Sequence, residues 1–543
     1  MADAATRAAM ADAAAREAAL DPQIRTKRDR MVIAGSSLGT VFEWYDFFLY
    51  GILATLIGRL FFPSDNPTAA TLASLAAFGA GFGVRPLGAL LFGWFGDRIG
   101  RKKTFLVTIT LMGAATAAIG LLPTYAQAGI IAPALLLVLR LLQGLALGGE
   151  YGGAAIYVAE HAPEGRRGYY TSWIQVAAPT GFLLCLVVVL ACRWAMTDAE
   201  FEAWGWRVPF LISLVLLAIS IWIRMKLSES PVFQAMKEAG STSRNPFLDS
   251  LRSPGNLGRV LVAMFGVAAG LTVIYYTSQF GALYFLTGTA RVGEREALLY
   301  LAIGAALAAP VYVFCGWLSD HVGRKPLLLL GYAAAALLVF PIFRMMADGA
   351  NPQLGRATAA SPVVVELPPC EYDVFARTHE APCAKALALL TKRGVAYAKE
   401  DAASVALRVG GQRIEGFDEA AYLAALKSAG YPDVADPAEK RRWKIILAIA
   451  LMVALSGMTY GQVAAILTEL FPPNVRYTSL SFPYHVGTGY FGGFLPFISQ
   501  YIVVKTGDPY SGLWYTVGVL VVAFLICLFF LPETRNRDLH APG

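Results

Sequence analysis

Residues 42–51 read FEWYDFFLYG and sit inside a long, mostly apolar stretch from Met31 to Phe62. Glu43 and Asp46 are therefore two carboxylates where a membrane span would be. An ionised carboxylate in hydrocarbon costs about 2.5–3.5 kcal/mol or more. It persists by facing a wet cavity, by pairing with a cation, or by taking up a proton. Burial raises a carboxylate pKa and a nearby arginine lowers it, so a site that alternates between those states binds and releases a proton. Counted from Met31, Glu43 and Asp46 lie roughly 18 and 22 Å deep, near a bilayer midplane. Helical angles place Asp46 and Tyr50 within about 60° of Glu43, on one face.

The matching cations are Arg85, in the second apolar segment, and Arg140, in the fourth. Gln143, Leu147 and Glu150 fall within about 80° of Arg140, so this segment points an arginine, an amide and an acid the same way. Gly144, Gly148 and Gly152 form an adjacent stripe that admits a close neighbour. Arg85 and Arg140 could also hold a carboxylate ligand through forked hydrogen bonds. Two such arginines against three acids leave the sign of a cavity open. Tyr50, Gln175, Tyr275, Tyr276 and Gln279 could line a polar cavity. The alternatives are static ion pairs for the charged groups and interhelical hydrogen bonds for the tyrosines and glutamines. His485 reads as a shallow packing residue.

These residues need helices to carry them. The 543-residue chain is 56% hydrophobic and 15% charged, against about a quarter charged in soluble domains. That is a polytopic membrane composition. Twelve segments are long and apolar enough to span, at about 32–60, 71–95, 104–122, 131–157, 169–191, 207–225, 258–286, 296–318, 326–346, 444–467, 478–504 and 511–531. Lys and Arg crowd the segments on the side of the termini. The short loops opposite hold only Arg59, Arg193, Arg207, Arg291, Arg295 and Lys505. By the positive-inside rule both termini are cytoplasmic. The net charge of +7 therefore reads as topology signals beside lipid headgroups, not as a nucleic-acid surface. Residues 1–30 lack an apolar core and read as a cytoplasmic tail, not a cleavable signal.

The chain also repeats. Residues 93–103 are GWFGDRIGRKK and 316–326 are GWLSDHVGRKP. Glu160 to Arg166, around Pro163, echoes Glu469 to Arg476, around Pro472. Extra length in the second half falls near 348–436. The expected order is six helices (31–225), a cytoplasmic linker (226–257), helices 7–9 (258–347), an insert (348–440), helices 10–12 (441–533) and a cytoplasmic tail (534–543).

The Gly93-x-x-x-Asp97-Arg98-x-Gly100-Arg101-Lys102 stretch, with its echo after helix 8, resembles the signature of the major facilitator superfamily. GlnGly-x-x-x-GlyGlyGluTyrGlyGly at 143–153, GlyTrpArgValProPhe at 205–210, Arg85-Pro86, ProGluThrArg at 532–535 and the opening GluTrpTyrAspPhe are similar to the metabolite–proton symporter family. The resemblance implies an all-α membrane protein with two six-helix bundles. It also implies import of shikimate, α-ketoglutarate, citrate, proline or betaine with protons across a bacterial inner membrane. By analogy with sugar–proton symporters, Asp46 is expected as the proton site, modulated by Arg140, with Glu43 or Glu150 as second candidates. Gly93, Asp97, Arg101, Glu160, Arg166, Asp320, Arg324, Glu469 and Arg476 are expected to latch the halves on the cytoplasmic side. No cofactor or metal is expected, and the implied working unit is a monomer in lipid.

The insert carries Cys370 and Cys383, and a periplasmic position permits a disulfide between them. A strand near 405–409 and helices near 383–393 and 418–429 suggest a small α/β module. A redox domain that resembles glutaredoxin is the sharper alternative, but no Cys-x-x-Cys is present. Three functions follow: a proton-coupled organic-acid importer, an osmolyte or zwitterion importer, and a transporter-like sensor without net flux. No Ser–His–Asp set, metal cluster or phosphate-binding loop supports an enzyme.

Overall fold

The computed structural model describes residues 22–99, 101–149, 151–225, 255–376, 378–472, 475–537 and 539. Side chains are described from Ser37 onward, except 96–99, 101, 102 and 161. The expected N-terminal tail up to Asp21, most of the 226–257 linker, Glu150 and the side chains of Asp97 and Arg101 fall outside that description.

Apolar runs form long helices because only a helix satisfies every backbone polar group within one segment. Helix 1 runs Pro22–Ile52, breaks at Leu53 and resumes as Ala54–Phe61 with a 60° bend. Helix 2 comprises Pro67–Gly83 and Arg85–Ile99, and helix 3 is Arg101–Leu121. Helix 4 comprises Ile131–Gly148 and Tyr151–His161, and helix 5 comprises Arg167–Gln175 and Ala177–Ala195. Helix 6 is Arg207–Met225. Helix 7 extends over Asn256–Thr289 and is interrupted by π-helical turns, one of them Thr277–Gly281. Helices 8 and 9 are Glu294–Val322 and Arg324–Ala350. Helix 10 joins Arg442–Tyr460 to Val463–Leu470. Helix 11 joins Arg476–Val486, the π-turn Gly487–Gly493 and Leu495–Thr506, and helix 12 is Leu513–Phe530.

Among the described residues, ten helices are long and apolar enough to cross a membrane, and the bent helix 1 makes eleven. Helix 11 falls outside that set. Helices 1–6 pack together as one half, and 7–12 as the other. The halves meet where helix 5 lies on helix 8 and helix 2 on helix 11. Glycines set the closest approaches. A Cβ on Gly148 would lie 2.1 Å from the Arg85 carbonyl oxygen, and one on Gly316 would lie 2.4 Å from the Ser172 Cβ. Gly93, expected at such a contact, is roomier: its Cβ would meet the Tyr477 ring at 3.4 Å.

Between helices 9 and 10 the chain leaves the bundle. Strands β1 (Val363–Leu367), β2 (Tyr397–Asp401), β3 (Ala406–Val409) and β4 (Gln412–Glu415) form one sheet in the order β2-β1-β3-β4. β1 is parallel to β2 and antiparallel to β3, and β3–β4 is a hairpin. Gly410 and Gly411, at φ +56° and +79°, make its turn, the left-handed pair that a tight hairpin demands. Helices Pro382–Lys392 and Glu419–Ser428 complete the module. β3 and both helices lie within a residue or so of the expected positions. β1 follows an alternating pattern with Val363, Val365 and Leu367 inward, whereas β2 buries only Tyr397. Cys370 and Cys383 are joined as a disulfide. The module's apolar core also takes in Leu72 of helix 2 and Val504 of helix 11.

Forcing a branched side chain into a close-packed contact costs about 1–3 kcal/mol or more. Gly148→Val should sharply reduce the yield of monodisperse protein on size-exclusion chromatography. Gly93→Ala should leave that yield unchanged.

Candidate functional site

The middle of the bundle holds charges inside an aromatic shell. Helix 1 supplies Trp44, Phe47, Phe48 and Tyr50, all buried. Arg85 and Arg140 are also fully buried. The Arg85 guanidinium lies 5.0 Å from the Phe82 ring centre and 5.4 Å from that of Trp44. Arg140 lies 4.4 Å from Phe47 and 4.5 Å from Tyr50. Such cation–π contacts contribute up to about 2 kcal/mol when desolvated. All three nitrogens of Arg85, and Nε and Nη2 of Arg140, nevertheless have no hydrogen-bond partner among the described residues. Tyr276 and Tyr484, from the other half, lie within electrostatic reach of Arg85. The Tyr275 and Tyr276 hydroxyls, the Gln279 amide and both ring nitrogens of His485 are likewise without partners. Gln279 belongs to the π-helical turn of helix 7, a distortion that often marks working sites. His485 is fully buried.

Several expected site residues have other tasks. Arg140 donates to Gln143 Oε1 at 2.7 Å, and Gln143 passes its own N–H to Thr116 at 2.7 Å. Gln143 is thus a support for Arg140. Tyr50 donates to the Ser74 carbonyl at 3.2 Å while its ring lies beneath Arg140. Gln175 donates to the Tyr151 hydroxyl at 2.6 Å, and Tyr151 stacks on Tyr484 across the halves at 3.8 Å.

Glu43, Asp46 and Tyr50 do not act together. Glu43 pairs with Arg224 at 2.9 Å. Arg224 stands at the end of helix 6, so Glu43 lies toward the end of the bundle that carries the termini, not at mid-depth. Helix 1 starts at Pro22, nine residues ahead of the Met31 used to count depth. Asp46 does not reach Arg140. It is buried, its Oδ1 has no partner, and it lies within electrostatic reach of Cys185 on helix 5. One helix face meets helices 6, 5 and 4 at successive heights, which separates the three side chains.

Charges seal the bundle at both ends. At the end with the termini, Asp320 accepts from the Gly168 and Tyr169 amides, each at 2.8 Å, and pairs with Arg324 at 2.8 Å. Arg324 also pairs with Glu469 at 3.2 Å, and Arg167 approaches Glu469 at 3.8 Å. Arg476 pairs with Glu160 at 3.4 Å, again across the halves. Arg166 takes no part: it is exposed, and its neighbour Arg167 fills the expected role. The final residues join in. Thr534 donates to Glu469 at 2.8 Å, Glu533 caps the first amides of helix 9, and Arg167 and Arg476 donate to the Arg537 and Leu539 carbonyls. At the insert end, Arg193 pairs with Glu294 at 2.8 Å and Arg295 with Asp198 at 2.9 Å, both between halves. Neither pair stands out in the sequence, since all four residues sit at helix ends and read as loop charges.

The sugar (and other) transporter family profile matches residues 32–257 and 428–541. The chain belongs to that family of the major facilitator superfamily. It is 32% identical over 513 residues to the inner membrane metabolite transport protein YhjE of Escherichia coli, covering 94% of this chain and 95% of that one. It is 38% identical to the E. coli shikimate transporter, over 58% of this chain and 72% of the other. The E. coli proline/betaine transporter is 36% identical over 58% of this chain and 64% of its own length. Among solved structures, the proton:xylose symporter XylE superposes with a TM-score of 0.61 at 16% identity, covering 95% of this chain and 98% of that one.

This transporter is a multi-pass membrane protein, not an enzyme. Among its described residues no group of histidine, cysteine and acidic side chains could hold a metal ion. In this family member the paired charges lie at the two ends and the unpaired ones in the middle. Removing one partner of a buried ion pair costs about 3–5 kcal/mol. Arg324→Ala, which strands Asp320 and Glu469, should therefore lower the thermal unfolding midpoint markedly in a scanning assay. Arg166→Ala should leave it unchanged.

Proposed function

We propose that the protein is a proton-coupled symporter that imports a small organic acid by alternating access. Twelve spans cross a bacterial inner membrane, with the termini and the 226–257 linker cytoplasmic and the 348–440 insert periplasmic. The observation that carries this reading is Arg85: a buried guanidinium whose three nitrogens find no acceptor among the described residues. An unpaired buried charge is costly unless something satisfies it. A substrate carboxylate matches the guanidinium fork in shape and charge. Arg140, already committed to Gln143 through one nitrogen, assists with the rest. Glu43 is neutralised by Arg224, so the described centre carries two cations against Asp46.

Asp46 takes the proton. It is buried and has no ion pair among the described residues, so it is stabilised by protonation while buried and by ionisation once water reaches it. Proton release on one side and loading on the other then couple to the rocking of the halves. The end with the termini is the cytoplasmic gate, and the Arg193–Glu294 and Arg295–Asp198 pairs belong to the periplasmic one. Lipid and substrate are the partners, protons are the coupling ion, and the working unit is the monomer.

A zwitterionic osmolyte is the second reading. The ring of Trp44, Phe47, Phe48, Phe82 and Tyr276 could cage a quaternary ammonium. Against this, Arg85 and Arg140 already occupy several of those ring faces.

Proton uptake by proteoliposomes should be followed while shikimate, 2-oxoglutarate, citrate, proline and betaine are added in turn. Alkalinisation with an acid, but not with betaine, supports the organic-acid reading. Asp46→Asn should abolish the proton signal while sparing substrate exchange. Losing a buried charge-assisted contact costs about 2–5 kcal/mol, so Arg85→Gln should weaken binding of that acid by about 30-fold or more. Binding without any proton movement would turn the case toward a uniporter or a sensor.

A further inference from the structure

The insert leaves and rejoins the chain within the second half, and most of its anchors are there. Arg291 donates to the Pro432 and Arg393 carbonyls, and Lys440 pairs with Glu296. The Tyr397 amide donates to Gly507 at 3.2 Å, and Lys505 donates to the Tyr372 carbonyl at 2.9 Å. Phe375 stacks on Phe497 and Tyr501 of helix 11.

Its contacts with the first half are concentrated elsewhere. Asn66, at the start of helix 2, is buried. Its Oδ1 caps that helix, accepting from the Thr68 and Ala69 amides at 3.1 and 3.4 Å. Its Nδ2 turns outward and donates to the Val374 and Ala376 carbonyls at 3.4 and 3.2 Å, with His379 Nε2 at 3.4 Å. Leu72, nearly two turns further along helix 2, is buried in the core of the insert. The segment that Asn66 grips is the loop closed by the Cys370–Cys383 disulfide. Its carbonyls are therefore held in place by a covalent staple at its base.

We infer that the insert is a clasp across the periplasmic opening, in which the disulfide-closed loop carried by the second half docks on Asn66 of the first. For substrate to enter from that side the halves must part there, and the Asn66 contact must break with them. The clasp adds to the Arg193–Glu294 and Arg295–Asp198 pairs and biases the resting protein toward the closed outer face. Asn66 acts as a positioning residue, remote from the central charges.

The two functions of Asn66 can be separated. Asn66→Asp keeps a capping oxygen, which serves an N-cap as well as asparagine does. It replaces the donor with an oxygen facing two carbonyls. Asn66→Ser also caps but lacks the amide, and serves as the second variant. Cys370→Ser with Cys383→Ser opens the loop from the other side. Hydrogen–deuterium exchange of the full-length protein in nanodiscs, without substrate, is read by mass spectrometry. The readout is residues 47–61 and 275–286, which meet where Tyr284 donates to the Gly51 carbonyl across the halves. Each variant should speed exchange there by about fivefold, the effect of a kilocalorie of lost closure. Residues 164–172 and 316–324, at the opposite end, should keep the wild-type rate. Combining Asn66→Asp with the cysteine pair should add little. Wild-type exchange at 275–286 in the Asn66 variants would overturn the clasp, as would equal acceleration at both ends. The inference rests on alternating access, but this readout involves neither substrate nor protons. Its failure would leave the proton and carboxylate assignments standing.

Discussion

A charge buried in an apolar bundle must find a partner, and the cost of leaving one alone is several kcal/mol. The rest of this structure follows that constraint. Glu43 has Arg224, Asp320 and Glu469 share Arg324, Glu160 has Arg476, and Arg193 has Glu294. The exceptions are grouped. Among the described residues Arg85, part of Arg140 and Asp46 escape pairing, and they do so between two charged ends. A transporter needs that division, since ends must open and reclose while the middle must stay receptive.

Aromatic rings keep the exceptions tolerable. Phe47 contacts both guanidinium groups, and Phe82 and Tyr50 each serve one. These contacts offset only part of the desolvation, so the surrounding packing must hold the cations in place. Gly148 does this directly: it brings helix 4 against the backbone of Arg85 itself. Rings from the second half, Tyr276 on Phe82 and Phe280 on Phe78, close the cluster. Separation of the halves would admit water to the same groups whose burial makes them reactive.

The broad architecture was legible from apolar length, which the bilayer demands, and from the repeated GlyAspArg-type motif, which marks two related halves. So was the group of buried ionisable residues. Their partners were not. Counting depth from Met31 put Glu43 too deep, because its partner, Arg224 at the end of helix 6, is remote in sequence. Helical angles say which side chains share a face, not which neighbour that face meets at each height, and so Asp46 was matched to an arginine it does not reach. Arg166 and Arg167 are adjacent, and no periodicity decides which turns inward. In the insert, strand β3 was expected from its apolar run, whereas its hairpin partner β4 and the edge strand β2 are polar and had no apolar alternation to mark them. Asn66 reads as an ordinary N-cap, because its second use depends on a loop some three hundred residues away.

The end of the chain also changes meaning. Glu533 and Thr534 belong to the ProGluThrArg stretch, and with Arg537 and Leu539 they lie wedged among the very arginines and glutamates that bind the two halves together. Residues 533–539 thus lie over the charged contact between the halves, held to the second half by Arg324, Glu469 and Arg476 and to the first by Arg167. Parting of the halves at this end would break the Arg167–Arg537 contact and free one side of the segment. A reporter placed there would sense the gate from outside the permeation path.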